Sequence, residues 1–293
     1  MTIRTMEIFQ AVARHMNMSR AAEELHIAQP TISQAIQEIE SEYRILLFNR
    51  IGKKLYMTAE GLRLLEYTRQ ILSLTGAMDK EMNGLALSPH FTVGATITIG
   101  QSVLPPVLRR FEAGNPNVFV SVLVDNTAVI EENILTGKLD FAFVEGQTKH
   151  RNILLHPLLE DQLVLVCHKS HPLSGRQAVR LQEILECPFL VREDGSGTRE
   201  LFQRELEKHK AAIHVKWTSH SFDSILSALL QNLGISVLSR RVASPYVQQG
   251  ELHEINISDM SLTRSFSLVH HKNKYLTEHM KALIHEFTGA HNG

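Results

Sequence analysis

Apolar positions along this chain fall into three stretches of different period. In the first, Met6, Phe9, Ala13 and Met16 recur at steps of three, four and three, one stripe of an amphipathic helix. A shorter helix over 20–25 turns Ala21, Ala22 and Leu25 inward, with Ser19 as its expected N-cap. The turn His26-Ile27-Ala28 leads into Gln29-Pro30, and proline suits a first helical position because its missing N–H would have no partner there. A third helix, from 30 to about 41, gathers Ile32, Ala35, Ile36 and Ile39 on one side. The segment 48–57 then reads as a small hairpin with Gly52-Lys53 at its tip.

The second stretch reads as one long helix, with Thr58 as N-cap and Glu60 in its first turn. Leu64, Thr68, Ile71, Thr75, Met78, Met82 and Leu85 follow at alternating steps of four and three, a 3.5-residue period held over three heptads. Such a seam packs on a second copy of the helix or back on its own chain. Ser88-Pro89-His90 reads as a hinge. From Phe91 onward, apolar runs such as 118–124 and 162–166 alternate with helical patterns, which predicts an α/β domain with buried, mostly parallel strands. Leu276, Met280, Leu283 and Phe287 mark one face of a final helix. The expected organisation is 1–58, 59–88 and 89–293.

Composition narrows the chemistry. The chain has 293 residues, 43% apolar and 21% charged, with a formal net charge of -1, so no overall basicity announces nucleic acid. Residues 1–60 balance seven basic against seven acidic side chains. A case for DNA therefore rests on arrangement. Opposite the isoleucines of the third helix lie Gln34, Gln37 and Glu38, flanked by Thr31 and Ser33, side chains able to read base edges in a major groove. Two helices joined by a short turn, the second carrying such a face, describe a helix-turn-helix. Basic side chains gather at its edges: Arg20 at a helix start, and Arg50, Lys53 and Lys54 on the hairpin, where phosphates would lie. A polar face is also what a merely solvated helix shows.

Two cysteines, Cys167 and Cys187, make no disulfide framework and point to a reducing compartment. The N-terminus lacks the apolar core of a signal peptide, and no run approaches the ~18 apolar residues of a membrane span, so a cytoplasmic protein without membrane contact is expected. Sixteen histidines show no ligand grouping with cysteine or carboxylate, and no metal or cofactor is expected. No nucleophile elbow appears, which argues against an enzyme.

The run from Ser19-Arg20-Ala21-Ala22 through Gln29-Pro30-Thr31-Ile32-Ser33-Gln34-Ala35-Ile36 to Ile39-Glu40 closely resembles the signature of LysR-type transcriptional regulators. Leu47-Phe48-Asn49-Arg50 and Thr58-Ala59-Glu60-Gly61 extend it. The sequence departs from the family with Gln34 where arginine is common, Ala28 where a capping serine is frequent, and Tyr43-Arg44 in place of Leu-Gly. The resemblance covers the whole chain. It implies a winged helix-turn-helix whose DNA contacts include Gln29 and Pro30 beside the residues above, then a linker helix that makes dimers and commonly pairs them into tetramers on an imperfect palindrome. RNA polymerase is a further candidate partner. It also implies a C-terminal effector domain similar to type 2 periplasmic binding proteins: lobe one over about 91–162 and 266–293, lobe two over about 163–265.

In that architecture the cleft lies beyond strand ends, where helix starts offer free N–H groups. Thr96, Thr98 and Ser102 follow the first strand, Glu145 ends a later one, and Asp194-Gly195-Ser196-Gly197-Thr198-Arg199 opens a helix in lobe two. Two glycines there admit close backbone approach, and the hydroxyls favour an anion. The resemblance implies that Thr96, Thr98, Ser196 and Thr198 touch the effector, expected to be a small carboxylate or sulfate-type oxyanion. Glu145 would repel such a ligand unless turned away, or would hold an amine. A solute-binding or enzymatic α/β protein using the same cleft is the alternative.

Overall fold

The computed structural model describes residues 1–52, 54–83, 89–148 and 150–289. The chain divides into two compact units, Met1–Pro89 with Asn273–Tyr275, and His90–Lys272 with Leu276–Gly293.

In the first unit, α1 (Ile3–His15), α2 (Met18–Leu25) and α3 (Gln29–Tyr43) close around Ile8, Phe9, Val12, Ala21, Ile32, Ile36 and Ile39. Asn17, not Ser19, caps α2. Its extended backbone aims the side-chain oxygen at the amides of Ser19 and Arg20, 2.9 and 3.1 Å away. Strands β1 (Phe48–Ile51) and β2 (Lys54–Met57) pair antiparallel, and Gly52 turns the chain between them at φ 61°. Lys53 lies outside the described residues.

The hairpin is tied down from both sides. Glu40 of α3 accepts from the amide of Leu47 at 2.7 Å. Thr58 donates to the Leu46 carbonyl at 2.6 Å and accepts from the Gly61 amide at 2.9 Å, capping α4 (Ala59–Asn83). Gly61 has a steric reason to be glycine, since a Cβ there would come within 2.4 Å of the Leu47 carbonyl oxygen.

Along α4, the predicted seam divides, with Ile71 and Met78 open and Thr68 turned into its own unit. Leu65 and Thr68 are buried, and Thr68 and Thr75 donate to the carbonyls of Leu65 and Ile71 on their own helix. The open apolar stripe is Tyr67, Ile71, Leu74 and Met78, at steps of four, three and four. The Met82 side chain, Leu85 and Ser88 lie outside the described set.

The second unit begins with β3 (His90–Thr96), α5 (Ile97–Ser102), α6 (Leu104–Gly114), β4 (Phe119–Asp125), α7 (Thr127–Leu135) and β5 (Phe141–Glu145). A long β6 (Ile153–His168) leads to β7 (Ala178–Val179), β8 (Pro188–Arg192), α8 (Gly197–Lys208), β9 (His214–Ser219), α9 (Phe222–Leu230), β10 (Ser236–Ser239), α10 (Arg240–Gln248) and β11 (Leu252–Ile257). Strand β12 (Thr263–His271) returns, and α11 (Glu278–Gly289) follows.

Strands run β4-β3-β5-β12-β6-β11-β7, with β10 also on β6 and β8 paired with β9. The expected parallel character holds only locally. β3 is parallel to β4 and β5, but β12 runs antiparallel to both β5 and β6, because it returns the chain between two strands of common direction. β6 exchanges its partner β12 for β10 between Gln162 and Leu163. One core, around Phe91, Phe111, Phe143 and Phe266, includes Met280, Leu283 and Phe287 of α11; Phe143 and Phe287 stack at 3.8 Å. Another, around Leu165, Phe189, Phe202 and Ile255, fills the second lobe.

The apolar run expected to be buried at 118–124 is an edge strand instead. Phe119, Val122, Leu123 and Val124 of β4 are all exposed, because β3 covers only one side of the strand and little packs on its outer face.

Candidate functional sites

On α3, burial of Ile32, Ala35, Ile36 and Ile39 fixes the opposite face. Gln29, Pro30, Thr31, Gln34 and Gln37 are exposed and Ser33 is half-buried. Gln34 donates to Glu38 one turn on at 3.0 Å. α3 begins at Gln29 with Pro30 second, one residue earlier than predicted. Ala28 offers no side-chain cap, so the first amides of the helix have no side-chain partner. Arg20 stands exposed in the first turn of α2, and Arg50 and Lys54 are exposed on the hairpin.

The second site lies where β3, β5, β8 and the β6–β12 crossing converge. Arg264 is its centre, with 4% of its side chain exposed. Its Nε donates to Asp161 Oδ2 at 2.7 Å, its Nη1 donates to Thr198 Oγ1 at 3.0 Å, and its Nη2 sits 2.8 Å from Glu145 Oε2. Asp161 in turn accepts from Ser239 at 2.6 Å. One guanidinium thus joins β5 of the first lobe, the crossing strands, and the start of α8 in the second lobe.

The lobes also meet by backbone. A Cβ on Gly197 would fall 2.3 Å from the Glu145 carbonyl oxygen, so only glycine admits this approach. Thr127 donates to that same carbonyl at 3.0 Å, and Thr96 accepts from the Glu145 amide at 3.2 Å.

Buried polar groups are ordinarily satisfied. Yet Ser196 Oγ, Glu145 Oε2 and Arg264 Nη2 have no well-aligned hydrogen-bond partner among the described residues, although the last two touch as an ion pair. Thr98 is buried close by in sequence to Thr96, its carbonyl accepting from Ser102 at 2.7 Å. Arg199 donates to the Arg192 carbonyl and pairs with Asp194, each at 3.0 Å, and Arg192 is itself buried against Glu193.

Elsewhere, burial pushes the Cys167 thiol up to about 11, with Cys187 adding to the rise, so neither cysteine is primed for attack. Among the described residues no group of three or more His, Cys, Asp or Glu side chains could hold a metal. No helix among them is long and apolar enough to cross a membrane.

The profile of the bacterial regulatory helix-turn-helix protein, lysR family, matches residues 3–62, and that of the LysR substrate binding domain matches residues 86–291. The chain belongs to the LysR family. Relatives of this LysR-type regulator include the uncharacterized HTH-type transcriptional regulator YeiE of Escherichia coli, 30% identical over 97% of this chain and 96% of its own length. Another is the HTH-type transcriptional regulator CysL of Bacillus subtilis, 28% identical over 90% and 89%. In structure it is similar to full-length OxyR from Pseudomonas aeruginosa, with a TM-score of 0.71 at 19% identity over 99% and 94% of the two chains. The Synechocystis CcmR regulatory domain, solved with 2-PG, has a TM-score of 0.65 at 22% identity over 70% of this chain and 98% of that domain. LysR-type proteins are transcriptional regulators, not enzymes, with a DNA-binding helix-turn-helix and an effector-binding domain.

Within this LysR-type regulator, the sequence-predicted cleft residues Thr96, Glu145, Ser196 and Thr198 come together around a residue that was not predicted. Ser102 and Arg199 are engaged with backbone carbonyls and stand apart from the Arg264 fork. The expected repulsion at Glu145 takes a different form, since Arg264 already supplies its counter-charge. Strand parity could have found the cluster. Arg264 shares its face with the buried Phe266 and Leu268, Asp161 shares its face with Leu159 and Leu163, and Glu145 shares its face with Phe141 and Phe143.

Proposed function

We propose that this LysR-type regulator reads a duplex with the exposed face of α3 and answers to a small anion, a carboxylate or a sulfate-type oxyanion, held in the cleft of its second unit. The observation that carries the ligand reading is the set of buried polar atoms lacking well-aligned partners, Ser196 Oγ, Arg264 Nη2 and Glu145 Oε2, gathered where α8 begins. A guanidinium fork, two hydroxyls and a helix start are the groups that recognise an oxyanion. The 2-PG held by the CcmR regulatory domain supports a small ligand in this fold.

Gln34, Gln37, Thr31 and Ser33 would read bases, while Arg20, Arg50, Lys53 and Lys54 would hold phosphates. The uncapped start of α3 at Gln29 and Pro30 suits a phosphate as well. Self-association is supported by the open Tyr67, Ile71, Leu74 and Met78 stripe of α4 and the apolar edge of β4. A cytoplasmic homodimer, paired further into a tetramer, would bring recognition helices to the half-sites of an imperfect palindrome. RNA polymerase is then a partner for activation. The ligand acts by binding one arrangement of the lobes better than another; equal affinity would shift nothing.

Calorimetric titration of the full-length protein with sulfate, phosphate, acetate and succinate tests the ligand reading. One of these binds, and Thr98→Ala and Ser196→Ala each weaken it about tenfold, the size of one charge-assisted hydrogen bond. Unchanged affinity in both variants contradicts this site.

A further inference from the structure

We infer that Glu145 is a resident competitor for the effector: its carboxylate occupies, on Arg264, the place that the effector's anionic group takes, and ligand binding exchanges one for the other. This deepens the anion reading above and rests on it. The geometry is specific. Two of the three nitrogens of Arg264 make well-formed hydrogen bonds, Nε to Asp161 Oδ2 at 2.7 Å and Nη1 to Thr198 Oγ1 at 3.0 Å. The third nitrogen, Nη2, lies 2.8 Å from Glu145 Oε2, but neither atom makes an aligned hydrogen bond, although both side chains are at least 96% buried.

A buried carboxylate that touches a guanidinium without aligned bonds is held by charge and confinement, so it is the displaceable arm of the fork. Asp161 is the fixed arm, locked from its other oxygen by Ser239 at 2.6 Å. Ser196 Oγ, on the residue before the glycine that contacts Glu145, stands buried and without a hydrogen-bond partner among the described residues, ready to donate to an incoming anion.

The exchange also has a mechanical consequence. Glu145 ends β5 in the first lobe, whereas Thr198 lies in the first turn of α8 in the second, and Arg264 holds both. While Glu145 occupies the fork, the lobes are latched through its side chain and through the contact of its carbonyl with Gly197. An anion that takes the third nitrogen of Arg264 frees the Glu145 side chain and leaves the latch to the ligand. A ligand of this kind therefore binds more weakly than the site's donors alone would allow, and its binding is coupled to the lobe arrangement.

Titration of the full-length protein with sodium sulfate and, separately, sodium acetate, followed by calorimetry, tests this. Glu145→Gln removes the competing charge and keeps the shape, so at least one of the two anions binds at least tenfold more tightly than to the wild type. Arg264→Met abolishes binding. Glu145→Ala, which also removes the competing charge, serves in place of a Gln variant that fails to fold and tightens binding likewise. Wild-type binding that is unchanged or weakened in Glu145→Gln overturns the competitor role and leaves the anion reading standing. Absence of binding in the wild type and Glu145→Gln alike contradicts the anion reading itself, and the inference falls with it.

Discussion

Asp161 and Arg264 stand directly opposite each other in the β6–β12 ladder and are joined by a 2.7 Å hydrogen bond with almost no solvent contact. The pair sits where β6 passes from one lobe to the other, so it orients the Arg264 fork from a point that belongs to neither lobe alone. Its carboxylate is fully buried, and removing it would leave the guanidinium with Thr198 and a single ion-pair partner, Glu145.

Asp161→Ala should therefore lower the unfolding free energy by about 3–5 kcal/mol, the cost of leaving one member of a buried pair without its partner. Glu254→Ala removes the partially exposed partner of Arg240 and should cost less than about 1 kcal/mol. Urea unfolding of the two variants measures the contrast; equal losses would mean that Asp161 is not held as described.

His270 gives the second unit a pH dependence. Burial lowers its pKa below 6.5, the carbonyl of the adjacent His271 offsets this through a hydrogen bond, and the stacked ring of His156 adds to the lowering. With the folded value depressed, the unfolded chain binds the proton more readily, so this contribution to stability is complete above about pH 6.5 and declines as the pH falls through that value toward the folded pKa. Urea midpoints at pH 7.5 and 5.5 should differ more for the wild type than for His270→Gln; identical differences would assign the dependence elsewhere.

Much of the first unit was legible because its determinants are local. Helical steps predicted the buried Ile32, Ala35, Ile36 and Ile39, and Thr58 caps α4 as its position before Glu60 implied. The cap of α2 was misplaced by two residues because Asn17 and Ser19 are both good caps, and only the backbone angle at Asn17 decides between them. The α4 seam keeps its expected period, with Thr68 packed within its own unit and Ile71 and Met78 left open. Nothing local announces Arg264. Its partners lie 66 to 119 positions away in sequence, and the fork exists only once three strands and a helix start converge. The exposure of β4 is likewise a matter of its place at the sheet edge, which an apolar run does not encode.

The hairpin should contribute affinity without selectivity. Lys54→Ala, at an exposed position beside the tip, is expected to weaken binding to specific and random duplexes alike and to reduce the slope of log affinity against log salt by about one unit. Fluorescence anisotropy over a salt series reads both quantities. A loss confined to the specific duplex would move Lys54 from phosphate to base contact.

The direct test of the groove assignment is Gln34→Ala, measured by anisotropy on the regulator's own upstream DNA and on random duplex of equal length. Gln34 is exposed on α3 opposite the buried isoleucines. The variant should lose about 1–3 kcal/mol on the specific site while its random-sequence affinity stays unchanged. An equal loss on both duplexes, or no loss on either, would contradict the reading of bases by this face of α3.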